Sequence, residues 1–259
     1  MKNIIFYFSS TGNTYYAAKY LKDNLENCEI YNMAAPLSND IVGNEETNIG
    51  FIFPTYFFSI PRPVENFIKL LKLSSKAHYY GIVTCNGFPG NTVGQLKNIL
   101  KDKNCTLSYF TSLFMPGNYI IEYSGLDKDR TDKRLKKIKE QLPDICNSIT
   151  HRHKNNVNKK FEFISNLFFN SMYKQADVWH AGFCVTDECI GCGICAKVCP
   201  FDNITIKDKK PVWGNKCEHC VACIQWCPNK AVEYGKRTLK RRRYTNPDVS
   251  LKEFLTQVK

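Results

Sequence analysis

Nowhere in the 259 residues do eighteen apolar residues run together, so no segment reads as a membrane-spanning helix. The opening Met1–Phe8 is apolar but too short for the core of a secretory signal, and no small-residue cleavage site follows it. The expectation is a cytoplasmic chain. A dinucleotide fingerprint needs three glycines at G-x-G-x-x-G, and the first glycine-bearing loop has only Gly12. A P-loop needs a lysine after its second glycine, and none follows Gly12. No helix-turn-helix or RNA-binding motif is present. Hydrophobic residues at 43% against charged residues at 23% exclude wholesale disorder.

Cysteine, by contrast, is abundant. Thirteen occur, nine of them between Cys184 and Cys227. In a reducing compartment such density argues for metal and against a disulfide framework. Cys189, Cys192, Cys195 and Cys199 form one run, closed by Pro200. Cys217, Cys220, Cys223 and Cys227 form a second, closed by Pro228, at a constant offset of 28 residues. Asn203–Ile206 and Ala231–Tyr234 continue the duplication. Three cysteines at intervals of three wrap one face of an iron–sulfur cube, and the fourth, before proline, ligates the other cluster. Cluster one would then take Cys189, Cys192, Cys195 and Cys227, and cluster two Cys217, Cys220, Cys223 and Cys199. Gly191 and Gly193 suit backbone that curls round sulfur, whereas His219 and Val221 stand at the equivalent positions. The rival is a pair of zinc knuckles, but zinc normally takes two separated cysteine pairs. Residues 182–236 resemble bacterial two-cluster ferredoxins with no ligand missing, which implies two 4Fe–4S clusters passing single electrons. Of the other cysteines, Cys28, Cys105 and Cys146 read as core, and Cys184 is surplus to the eight.

The first half alternates strand and helix patterns. Strands are expected at Ile4–Phe8, Glu29–Met33, Ile49–Phe53, Tyr79–Thr84 and Leu107–Phe114. Helices are expected at Asn13–Glu26 (apolar face Tyr16, Tyr20, Leu21), Pro63–Leu73, Thr92–Leu100 and Asp129–Thr150, with Pro143 a possible kink. Such alternation predicts an α/β, doubly wound, parallel five-stranded sheet, with ligands beyond the carboxyl ends of its strands. Ser9, Ser10, Thr11, Gly12, Asn13 and Thr14 stand there, between the first strand and first helix. A helix N-terminus and four hydroxyls can hold a phosphate without lysine. This S-x-T-G-N-T run resembles the phosphate loop of flavodoxins, and residues 1–150 resemble that fold. The resemblance implies FMN, with its ring held by Thr55, Tyr56 and Phe57 after the third strand and by Cys85, Asn86 and Gly87 after the fourth. Tyr56, Phe57 and Phe88 read equally well as core.

The formal charge of +12 divides into +3 for residues 1–150 and +9 for residues 151–259. Eight thiolates and two cluster cores would lower it by four. Lys236–Tyr244 is a basic run. It reads first as a solvated tail folded back on the molecule, second as a docking patch for an acidic redox protein, and third as a nucleic-acid contact. Phe161–Trp179 reads as a connecting amphipathic helix, with a membrane-surface helix as the weaker reading. The expected organisation is a flavodoxin-like FMN domain (1–153), a linker helix (154–181), a small α+β ferredoxin-like domain (182–236) and a basic tail (237–259). The whole chain resembles the flavodoxin–ferredoxin fusion proteins of anaerobic bacteria and archaea. That implies an electron-transfer protein moving electrons between clusters and FMN, with a redox partner protein and no nucleic acid. The alternative is an FMN-dependent reductase of a small molecule, its pocket lined by Tyr56, Phe57, Tyr119 and Tyr123. No catalytic acid–base pair stands out in either reading.

Overall fold

A computed structural model describes residues 1–35, 43–155 and 176–258. The expected linker helix at Phe161–Trp179 lies almost wholly outside them. The first half runs β1 (Lys2–Tyr7), α1 (Asn13–Asn24), β2 (Cys28–Asn32), β3 (Thr47–Pro54), α2 (Arg62–Leu70), β4 (His78–Cys85), α3 (Thr92–Lys101), β5 (Leu107–Phe114) and α4 (Lys128–Thr150). The strands form one parallel sheet in the order β2-β1-β3-β4-β5. That is the flavodoxin-like order, whose direction reverses between β1 and β3.

The strand residues explain the layers. Ile5 and Tyr7 point to one face of β1, where α1 and α4 cover them with Leu21, Leu135, Ile138, Leu142 and Ile145. Ile4, Phe6 and Phe8 point to the other, under Val64, Phe67 and Ile68 of α2 and Leu96 of α3. Burial on both faces is why these strands read as continuous apolar runs. On α1 the buried stripe is Tyr15, Ala17, Ala18 and Leu21, while Tyr16 and Tyr20 are only partly buried. Two small alanines let α1 lie close to the sheet, and bulk alone misplaces that face. Pro143 sits inside an unbroken α4.

The second half contains β6 (Phe183–Val185), α5 (Ile194–Lys197), β7 (Ile204–Lys207), β8 (Lys210–Trp213), α6 (Ala222–Gln225), β9 (Val232–Tyr234) and α7 (Leu251–Val258). β6 pairs with β9, and β7 with β8, both antiparallel. This small α+β unit shares its core with the sheet. Ile120 and Ile121 pack with Phe183, Val221 and Ile224. Trp226 stacks on Phe254 of α7 at 4.7 Å and donates its indole N–H to Ser10 O at 2.9 Å. Among the described residues no helix is long and apolar enough to cross a membrane.

Candidate functional site

Beyond β1 the chain turns through Ser9–Gly12 into α1. Gly12 takes φ +92°, a left-handed conformation in which side chains are strained, and a Cβ there would lie 3.1 Å from the Cβ of Asn246 and 3.2 Å from that of Val249. The turn aims the free N–H groups of the first turn of α1 into a cavity of 610 Å³. Of the twelve residues predicted to hold a cofactor, eleven line that cavity. Ser9, Ser10, Thr11, Asn13 and Thr14 come from the first loop, Thr55, Tyr56 and Phe57 from the second, and Cys85, Asn86 and Gly87 from the third. Gly12 supports the first loop from behind.

The hydroxyls are unequal. Ser9 Oγ is buried and has no partner among the described residues. Ser10 Oγ accepts from Tyr56 Oη at 3.1 Å and Thr11 Oγ1 accepts from Asn118 Nδ2 at 2.8 Å. Both therefore keep their own protons to donate. Thr14 Oγ1 shares a 2.8 Å hydrogen bond with Thr84 Oγ1. Asn13 is engaged on both ends of its amide. Its Nδ2 donates to Pro116 O at 3.0 Å, and its Oδ1 accepts from Tyr244 Oη at 2.7 Å and Asn246 Nδ2 at 3.2 Å. It positions three segments rather than a ligand. No lysine or arginine is among the described residues lining the cavity. An orphan buried hydroxyl, two donating hydroxyls and a helix N-terminus suit an anion such as phosphate.

The deeper walls are apolar and aromatic. Phe57 meets Tyr119 edge-on at 5.6 Å, and burial pushes the Tyr119 phenol up from its ordinary range. Burial likewise pushes the Cys85 thiol up to about 12, so it is neutral at pH 7. Arg134 Nη1 donates to Asn86 O at 2.7 Å and Met115 O at 3.2 Å, tying the loops after β4 and β5 together. Tyr119 and Tyr123 also line the cavity, as do His219 and Cys220 from the second half. Sequence reading assigned neither of these last two to it. The signal was there: His219 replaces the glycine that the duplication leads one to expect.

The eight run cysteines gather in two hollows. Cys189, Cys192, Cys195 and Cys227 line one. Cys199, Cys217, Cys220 and Cys223 line the other. Each hollow draws three cysteines from one run and the fourth from the other. Among the described residues no three metal-binding side chains converge closely enough to hold one metal ion. Four thiols per hollow, three from one run and one from the other, suit a cluster whose irons lie between the sulfurs. Burial, then neighbouring thiols, push Cys195 and Cys217 up to about 11, so a cationic core would be needed to hold the thiolates. His219 and Val221 take φ +55° and +56°, close to the +69° and +72° of Gly191 and Gly193. The backbone repeats even where the glycine does not. Outside the runs, Cys105 is buried, Cys28 and Cys146 are half-buried against the core, and Cys184 is exposed.

Residues 188–232 match the family of 4Fe-4S dicluster domains. The chain joins a flavodoxin-like fold to a 4Fe–4S ferredoxin domain. Its ferredoxin domain is 33% identical over 54 residues to a polyferredoxin of Methanothermus fervidus, covering 21% of this chain and 13% of that one. It is 41% identical over 51 residues to a ferredoxin of Methanocaldococcus jannaschii, covering 18% and 28%. The chain thus spans less than a third of either relative. Among solved structures it is similar to the rubredoxin oxygen:oxidoreductase of Desulfovibrio gigas, at 12% identity and TM-score 0.37, covering 58% of this chain and 36% of that one. Electron transfer belongs to the ferredoxin domain.

The basic tail is engaged on both halves of the chain. Arg241 Nη1 donates to Ile120 O at 2.6 Å and Arg242 Nη1 to Leu126 O at 2.8 Å. Arg243 reaches the Glu233 carboxylate and Val232 O. The tail then passes behind the first loop, where Asn246 N donates to Thr11 O at 2.8 Å, and ends in α7, which the sequence reading did not foresee.

Proposed function

We propose that the protein carries single electrons between two 4Fe–4S clusters and an FMN held in the 610 Å³ cavity. One observation supports this above the others. Cys220, a ligand candidate of the second cluster, lines the same cavity as the Ser9–Thr14 loop. The two cofactor sites therefore share a wall, and no domain movement is needed to bring them together. Bound FMN supplies a centre that takes up one or two electrons, and each cluster supplies a centre for one. Cys189, Cys192, Cys195 and Cys227 would hold the first cluster, and Cys199, Cys217, Cys220 and Cys223 the second.

The chain's own groups orient and exclude. Ser9, Ser10 and Thr11 offer hydroxyl protons to the phosphate beside the N–H groups of α1. Tyr56 and Trp226 fix Ser10 through its hydroxyl and carbonyl respectively. Phe57, Tyr119 and Tyr123 wall the ring space with phenyl and neutral phenol groups, leaving little water. The Tyr119 hydroxyl and His219 Nδ1 share a 2.8 Å hydrogen bond across the boundary between the halves, which fixes the wall beside Cys220.

The test is anaerobic rapid mixing of the reconstituted protein with a one-electron reductant, following cluster and flavin absorbance at separate wavelengths. Transfer from cluster to flavin should be first order and independent of protein concentration. A rate that rises with concentration, or no transfer, overturns the reading. Small-molecule reduction is the second reading, favoured by the placing of Tyr56, Phe57, Tyr119 and Tyr123 on one cavity. Glu122 is the one carboxylate among the described lining residues, and it is exposed and paired with Arg237. Reoxidation of the reduced protein by a quinone, with saturation in quinone, would bring this reading forward.

A further inference from the structure

With no lysine or arginine among the described residues lining the cavity, its grip on an anion depends on where hydroxyls and N–H groups point. A hydrogen bond weakens steeply once donor and acceptor lose alignment. Two consecutive residues of the second run, Gln225 and Trp226, fix those directions from outside the cavity lining. Trp226 is buried at the end of α6, and its indole N–H donates to Ser10 O at 2.9 Å. A trans peptide plane carries its carbonyl and the next N–H on opposite sides. Holding Ser10 O therefore aims the N–H of Thr11 away from Trp226. Asn246 N treats the following plane in the same way by donating to Thr11 O at 2.8 Å, which aims the N–H of Gly12. Gln225, also buried, uses both ends of its amide. Its Nε2 donates to Asn118 O, and Asn118 Nδ2 donates to Thr11 Oγ1 at 2.8 Å. Its Oε1 accepts from Tyr244 N at 2.7 Å, and Tyr244 Oη donates to Asn13 Oδ1 at 2.7 Å. Three routes thus run from two adjacent residues to Ser10, Thr11 and Asn13.

Gln225 and Trp226 also lie between Cys223, which lines the second hollow, and Cys227, which lines the first. The offset of 28 places Lys197 and Val198 at the equivalent positions of the first run. Lys197 is exposed, and Val198 has no polar side-chain atom. The second run therefore carries a contact that the duplication does not require. We propose that Gln225 and Trp226 are positioning residues for the flavin phosphate, and that through them the phosphate loop and the segment between the two clusters steady one another. The inference rests on the reading that the cavity holds FMN, and it says how that site is kept in shape. α6 has only four residues, too few to hold its shape by its own backbone hydrogen bonds. Its place is set by what its side chains meet. Ligation at Cys223 and Cys227 would anchor it on one side, and a phosphate that orders the loop would anchor it on the other. Such a coupling acts equally in both directions at equilibrium.

The experiment uses the full protein with both clusters loaded and its flavin dialysed away. It compares FMN with riboflavin, the same ring without the phosphate, by fluorescence titration. Trp226→Phe keeps a ring against Phe254 but has no N–H. Gln225→Met keeps the length of the side chain but neither donates nor accepts. Each should weaken FMN binding about tenfold, the loss expected when one buried hydrogen-bond partner is left unmade, and leave riboflavin binding as in the wild type. Phe254→Leu removes the stack and keeps the N–H. It should lower the thermal midpoint and leave the preference for FMN unchanged. FMN binding unaltered in both variants, FMN and riboflavin weakened alike, or a preference lost in Phe254→Leu overturns the proposal. A wild type that binds neither flavin, or FMN no better than riboflavin, overturns the cofactor reading beneath it. A failure confined to the variants leaves that reading intact. The second readout is the loss of cluster absorbance to an iron chelator. In the wild type FMN should slow it severalfold more than riboflavin does, and in Gln225→Met the two flavins should protect alike. Equal protection by both flavins in the wild type overturns the coupling between loop and clusters.

Discussion

Gly12 concentrates the first loop's requirements in one residue. At φ +92° any side chain costs roughly 1–2 kcal/mol of backbone strain, and its Cβ already crowds Asn246 and Val249. Gly12→Leu should therefore lower the thermal midpoint, strip flavin from the purified protein and leave its iron content unchanged; flavin retained at the wild-type ratio would mean that the loop does not hold it. Phe57 and Phe58 make the opposite case. Tyr56 and Ser59 exchange both backbone hydrogen bonds around them, and both phenylalanines take positive φ, at 48° and 63°. That is a tight turn which favours Asn-Gly. Phe57→Asn/Phe58→Gly should stabilise the apoprotein by about 1 kcal/mol and weaken flavin binding, read by fluorescence titration. If binding is unaltered, the two rings do not hold the flavin. Cys227→Ser separates the two hollows. It lies in the second run but lines the first hollow, so the first cluster's signal should be lost in electron paramagnetic resonance while the second's remains. Loss of the second cluster alone would reverse the assignment.

Among the elements, the final segment matters most for its size. Asn246 is fully buried and joins Thr11 O, Asn13 Oδ1 and the turn into α7, and α7 adds the 2.6 Å pair of Lys19 with Glu253. Asn246→Ala removes the amide that fixes Asn13 and leaves that carbonyl to Tyr244 alone. The expected cost is about 1–3 kcal/mol, with flavin release at lower temperature than in the wild type and clusters unaffected. Equal melting of both chromophores would make the segment a general brace. This element also marks the limit of what the sequence reveals. Strands such as Ile49–Phe53 and the two cysteine runs were legible because their periodicity or spacing is local. So were the three cavity loops, since each follows a strand end. The packing of Trp226 on Phe254, the placing of His219 on the cavity and the course of the tail are not local. They depend on how two halves, each readable alone, meet across surfaces that carry no periodic signal. The stretch Lys236–Tyr244 reads as a solvated charge run because a guanidinium bonding a distant carbonyl looks no different from one in water.

For the whole molecule the decisive property is that the halves form a single body around the cavity. An apolar core shared by Ile120, Ile121 and Phe183 supplies area, while Arg62 and Glu218 supply orientation. The Glu218 side chain is 10% exposed, and burial pushes its carboxyl up while Arg62 pulls it back. A carboxylate so enclosed is stable only beside its guanidinium. Removing one partner of such a pair costs about 3–5 kcal/mol, whereas removing both charges is often nearly neutral. Arg62→Ala should therefore both destabilise the protein and slow cluster-to-flavin transfer, as the Glu218–Val221 edge lifts towards water and the cavity wall beside Cys220 opens. Arg62→Met/Glu218→Gln should recover most of the stability, since no charge is left stranded. Its transfer rate is the informative reading. A rate restored together with stability means that packing alone sets the distance between second cluster and cavity. A rate that stays low in a stable protein means that the ion pair fixes the angle at which the two halves meet, and that this angle, more than their association, governs the transfer.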